Sequence, residues 1–186
     1  MTLTDFIGPE VVPGALDALS LWAGLLVLWL VVLSWGVVGQ RRRLKVAFGD
    51  GGHVSLTAAG RAFGNAAEYV PAGLIALMLL ALTGATPLLI HILGATLLAG
   101  RVIHAGGLLF QKGPSLGRIL GMVLTYAVLL FAAGILGGLT GSIAGLASVA
   151  TYPALLAVGL PPITANVTNT VALVFNGIGS VVGSRP

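Results

Sequence analysis

Cysteine is absent from the 186 residues. That excludes a disulfide framework, a thiolate metal site and a protein thiol nucleophile, so any thiol chemistry must draw its sulfur from a ligand. Charge is scarce as well. Asp, Glu, Lys and Arg together make up 8% of the chain, against roughly 25% in soluble domains. So few charges cannot clothe a water-facing surface. A basic segment ahead of the first apolar run is also missing. Asp5, Glu10 and Asp17 come first, so no cleavable secretory signal is expected there. The glycine cluster Gly49, Asp50, Gly51, Gly52 lacks a following G-K-[ST] and a preceding strand. It reads as a flexible turn rather than a phosphate loop.

What the chain does have is apolar length. Hydrophobic residues supply 57% of it, and the mean hydropathy is +1.06. A spanning helix needs about 20 mostly apolar residues. Four stretches qualify, at 17–38, 55–82, about 88–110 and about 116–138. The fold class expected is an all-α membrane protein, a four-helix transmembrane bundle over residues 1–138. Residues 139–186 follow with a different texture, rich in Gly, Ser, Thr, Asn and Pro. Two short hydrophobic segments are expected there, about 142–158 and 164–183. Such interrupted segments are tolerated at membrane depth only when buried in protein or lining a cavity.

Four of the nine basic residues, Arg41, Arg42, Arg43 and Lys45, form one run. Pinned between two spans, it reads as a cytoplasmic loop rather than a nucleic-acid patch. The connector at 111–118 holds further Lys and Arg, two spans later. Both belong on the cytoplasmic side, which puts the acidic N-terminus and the uncharged turn T-G-A-T-P (83–87) outside.

Charge inside a span is unfavourable by about 2.5–3.5 kcal/mol per residue, so Arg61, Glu68 and Arg101 need a reason. Arg61, Asn65 and Glu68 stand at i, i+4 and i+7 and share one helical face. Arg101 and His104 stand at i, i+3 on the next helix. By depth, both sets fall in the cytoplasmic halves of their helices, and Arg118 opens the fourth helix at the same level. Two readings follow. Glu68 neutralises Arg61 or Arg101 and locks the bundle, or the layer holds a ligand. Cations outnumber the single anion, which favours an anionic ligand, since arginine presents a planar fork to carboxylates.

The segment R-A-F-G-N-A-A-E-Y-V-P (61–71) resembles the signature of the MAPEG family, membrane-associated proteins in eicosanoid and glutathione metabolism. G-R-V-I-H-A (100–105) resembles its second block, and Arg118 with G-M-V-L-T-Y resembles the start of its fourth helix. The resemblance implies a homotrimer in the bilayer of a bacterial inner membrane, with glutathione bound between subunits on the cytoplasmic side. Arg61, Asn65, Glu68, Arg101 and His104 would be its ligand-binding residues. Arg118 would be catalytic, holding the thiolate, because a nearby guanidinium lowers a thiol's pKa. The implied activity is glutathione binding or glutathione S-transferase-type attack on a lipophilic electrophile, with no metal. Two departures weigh against turnover: Leu108 stands where several active relatives carry tyrosine, and Ile119 where they carry serine. Tyr126 lies deeper than either and is not expected to substitute. The shorter bacterial branch of the family shows the same simplified pattern.

The tail segment G-L-P-P-I-T-A-N-V-T-N-T-V-A-L (159–173) resembles the N-terminal part of the TauE/SafE sulfite or organosulfonate exporters. It covers only a fragment of their first repeat. A transport component is the alternative function this implies, and a non-catalytic scaffold is the third.

Overall fold

The computed structural model of the chain describes residues 11–110, 115–144, 152–153, 155–157, 159 and 161–171. All regular structure among them is helical. Four long helices run in order: α1 Ala15–Leu44, α2 Val54–Leu82, α3 Pro87–Leu109 and α4 Leu116–Ala144. Each is long and apolar enough to cross a membrane. Sequence and structure agree on an all-α membrane bundle. The chain divides into two compact units, Met1–Ala132 and Ala133–Pro186. The charged layer lies wholly in the first.

Two ends differ from the sequence expectation. α1 continues six residues past 38, to Leu44, so Arg41, Arg42 and Arg43 form its last turn rather than a loop. Arginine is a good helix former, and cations at a helix C-terminus meet the negative end of its dipole. Lys45 then stops the helix in the left-handed conformation (φ 57°), and the Val46 amide closes on the Arg41 carbonyl. α4 continues beyond 138 to Ala144. Most of the tail segment at 142–158 lies outside the described residues. Helix is described from 162 to 171, which overlaps the start of the segment at 164–183.

The short connections are built, not slack. Asp50 accepts from the Gly52 amide (3.0 Å) and the Thr57 hydroxyl (2.9 Å), which ties the glycine turn to the start of α2. Those two bonds hold the Asp50 carboxyl below its usual 3.8. Arg41 reaches across the same loop to the carbonyls of Ala47 and Gly49. At the other face Thr86 caps α3 and Pro87 occupies its first position, where a missing amide hydrogen does no harm.

α1, α2 and α3 pack on one another. Ala59, Ala62, Ala66, Val70, Gly73 and Leu77 form the buried face of α2. Small residues there let neighbouring backbones approach closely, which is how helices associate where lipid removes the usual hydrophobic drive. Leu33 of α1 and Ala105 of α3 meet Ala62 and Ala66 in this seam. The α3–α4 contact is tighter still. A Cβ added at Gly121 would sit 2.5 Å from the His104 Cβ and 2.6 Å from the Gly100 carbonyl. At Gly107 it would meet the Arg118 amide nitrogen at 2.6 Å. Gly117 and Gly121 form a G-x-x-x-G stripe on α4 that allows this approach.

Candidate functional site

The close α3–α4 crossing sets the site. Arg101 is 1% exposed, walled in where the two helices meet. Its Nη1 donates to the Asn65 side-chain oxygen at 2.7 Å. Its Nη2 donates to the Gly121 carbonyl at 3.1 Å and to the Thr125 hydroxyl, and lies 3.4 Å from the Met122 sulfur. The guanidinium also sits 5.2 Å from the Tyr69 ring centroid. Glu68 is not among its partners. A buried cation is thus held by neutral oxygens and an aromatic face rather than by a carboxylate. That joins three helices without closing an ion pair.

His104, one turn on, is buried as well. Its Nδ1 lies 3.0 Å from the carbonyl oxygen of Arg118. A carbonyl only accepts, so Nδ1 carries the hydrogen, and Nε2 is left as an acceptor. The Ser115 hydroxyl donates to the Gly107 carbonyl (3.2 Å) and accepts from the Arg118 amide (3.3 Å). The start of α4 is thereby pinned to α3, and Arg118 with it.

Beside this framework lies a polar cleft of about 480 Å³. Arg61, Asn65 and Glu68 line one side, and His104 and Arg118 the other. Gly60 and Gly64 keep the α2 wall low, and Leu108 and Met122 supply apolar surface. Five of the six residues singled out from sequence therefore converge on one cleft. Arg101 does not line it. It stands behind, where it orients Asn65. Among the described residues no group of His, Asp and Glu is arranged to hold a metal.

The MAPEG family profile matches residues 19–138, all four spans and every residue of the cleft. The chain belongs to the MAPEG family. It is 39% identical over 111 residues to "Inner membrane protein YecN" of Escherichia coli strain K12, an alignment covering 60% of this chain and 83% of that protein. The same figures hold for the protein of that name from Escherichia coli O6:H1. No solved structure matches the chain. This MAPEG protein is an integral protein of the bacterial inner membrane, as its four spans and that relative agree. The family match stops at residue 138 and leaves the tail outside it.

Sequence reasoning missed four participants: Tyr69, Ser115, Met122 and Thr125. Tyr69 sat inside the quoted motif, but its partner is 57 residues away. Its hydroxyl lies 2.9 Å from that of Tyr126. Tyr126 is not expected from the sequence to substitute at Leu108 or Ile119, and nothing in the structure puts it there. The structure places it on the wall of a second hollow that also includes Arg118. Thr125 stands one turn after Gly121, an i, i+4 relation visible in the sequence once Gly121 is known to touch α3.

Proposed function

We propose that this protein binds glutathione in the polar cleft and that the cleft faces the cytoplasm. The observation carrying the proposal is the pairing of Arg61 and Arg118 with Glu68 around one 480 Å³ cleft. Glutathione at neutral pH bears two carboxylates, one ammonium and a thiol. Two arginines answer the carboxylates, and Glu68 answers the ammonium. The Asn65 amide, oriented by Arg101, supplies a fixed polar contact between them. His104 Nε2, with its tautomer set by the Arg118 carbonyl, adds a further polar group.

The thiol is the ligand's, in keeping with a chain without cysteine. Arg118 at the cleft wall is the residue to stabilise its thiolate, and the substrate attacked is a lipophilic electrophile entering from the bilayer. Leu108 lines the cleft where a tyrosine would offer a hydroxyl, so binding is better supported than fast turnover. The assembly proposed is a homotrimer. Arg61 and Glu68 are exposed on a single chain within a span, and a neighbouring copy covers them at less cost than lipid.

Calorimetric titration of the purified protein tests the reading. Wild type is expected to bind glutathione, and Arg61→Ala and Glu68→Ala to weaken binding at least 10-fold, in line with the loss of one charge-assisted contact each, about 1.5–3 kcal/mol. No binding by wild type, or unchanged binding by both variants, refutes it.

A further inference from the structure

The turn that joins α1 to α2 carries chemistry that the cleft does not use. α1 is 30 residues long, about 45 Å at 1.5 Å per residue, whereas the hydrocarbon core of a bilayer is about 30 Å thick. Its charged last turn therefore stands among headgroups rather than acyl chains. Arg42, Arg43 and Lys45 are all exposed there. Among the described residues, none of the three side chains has a hydrogen-bond or ion-pair partner. Arg41 is spent differently: it donates to the carbonyls of Ala47 and Gly49 and so shapes the turn. Asp50, the only acidic residue of the turn, is engaged by the Gly52 amide and the Thr57 hydroxyl. A backbone held in one shape thus presents three cations with no anion of its own to answer them.

Two aromatic residues mark the same region. Trp35 is 74% exposed and Phe48 is 92% exposed. Trp35, Val38 and Arg42 stand at i, i+3 and i+7 and form one exposed stripe along α1. Trp35 lies about 10 Å below Arg42 on that stripe, and tryptophan favours the level where acyl chains meet headgroups. Phe48 lies in the turn itself. A bare phenyl ring is unfavourable in water and favourable in the membrane interface.

We propose that this face holds an anionic phospholipid, with its phosphate among Arg42, Arg43 and Lys45 and an acyl chain along Val38 and Trp35. Phe48 seats the turn in the interface. Charge complementarity names the lipid. A zwitterionic headgroup brings its own ammonium, whereas an anionic one brings net charge for the three cations to meet. Lys and Arg beside a membrane span attract anionic lipid by about 1 kcal/mol each, which is about 5-fold per residue. The site stands apart from the glutathione reading and shares no residue with the polar cleft.

The test uses the full chain in vesicles and reads quenching of Trp35. Of the three tryptophans, Trp22 and Trp29 are changed to phenylalanine, which leaves Trp35 as the reporter. The vesicles are phosphatidylcholine, in which dibrominated phosphatidylglycerol or dibrominated phosphatidylcholine replaces a rising fraction of the lipid. Bromine quenches tryptophan on contact, so the two curves give the relative affinity of each lipid beside Trp35. Phosphatidylglycerol is expected to be favoured about 5-fold or more, the worth of at least one cation. Arg42→Gln, Arg43→Gln and Lys45→Gln combined are expected to bring the ratio to about one. Salt at about 0.5 M is expected to lower it with the turn unaltered, because exposed charges are screened. Native mass spectrometry of the unsubstituted protein, released from nanodiscs of equal phosphatidylglycerol and phosphatidylcholine, is expected to show phosphatidylglycerol retained. Equal affinity of the two lipids in either experiment, or a preference that survives the triple substitution, overturns the proposal. Absence of quenching by both lipids overturns it too, since a second copy of the chain then covers this face.

Discussion

Arg101 shows how one residue can matter to a site it does not line. Its charge is buried at 1% exposure, and the described residues that meet it are neutral: the Asn65 oxygen, the Gly121 carbonyl, the Thr125 hydroxyl, the Met122 sulfur and the Tyr69 ring. Its Nε has no partner among the described residues. A cation held this way has little to spare. Asn65→Leu removes its shortest bond to α2 and leaves Nη1 unsatisfied. A hydrogen bond to a charged group is worth about 1.5–3 kcal/mol, and a loss of that size is expected in thermal unfolding in detergent. Glutathione affinity is expected to fall as well, since Asn65 faces the cleft on its other side. Normal stability with lost binding would make Asn65 a ligand contact alone. The i, i+4, i+7 spacing of Arg61, Asn65 and Glu68 made their shared face legible in the sequence. The role of Arg101 was not, because spacing along a helix does not say which neighbour covers it.

At the scale of elements, glycine decides how close α3 and α4 come. Gly100 and Gly107 on α3 face Gly117 and Gly121 on α4, with backbone atoms at contact distance. Gly121→Ala would drive a methyl against the His104 backbone and the Gly100 carbonyl, atoms that cannot turn aside. Overpacking of this kind costs about 1–3 kcal/mol, and the same shift would part His104 from the Arg118 carbonyl. Gly106→Ala is the matched control. A Cβ there meets nothing within 4 Å, and alanine is the better helix former by about 1 kcal/mol. Lower melting for Gly121→Ala with equal or higher melting for Gly106→Ala is the expected pair of results. Similar melting for the two would show that the crossing relaxes freely. The glycine content was visible in the sequence, but not which glycines face a helix and which face lipid.

For the molecule as a whole, the described cleft residues and the Tyr69–Tyr126 pair fall within Met1–Ala132. A chain ending after Ala144 keeps all of α4. It is expected to insert in the membrane and to bind glutathione within about 2-fold of the full chain, since it keeps every described residue that lines the cleft. Loss of binding on truncation would assign the tail a part in the site. The tail's likeness to an exporter fragment rests on residues 159–173 alone.

The sequence by itself determined the class and the four spans. Hydropathy and helical period are local quantities, and in a bilayer they leave few arrangements open. The tertiary structure decided which charges face the cleft and which are spent inside the bundle. It sent Arg101 behind the wall, brought Tyr126 to the end of a second hollow and fixed the tautomer of His104. Each of those outcomes depends on contacts between helices. Periodicity places a residue on its own helix, but only packing supplies the neighbour.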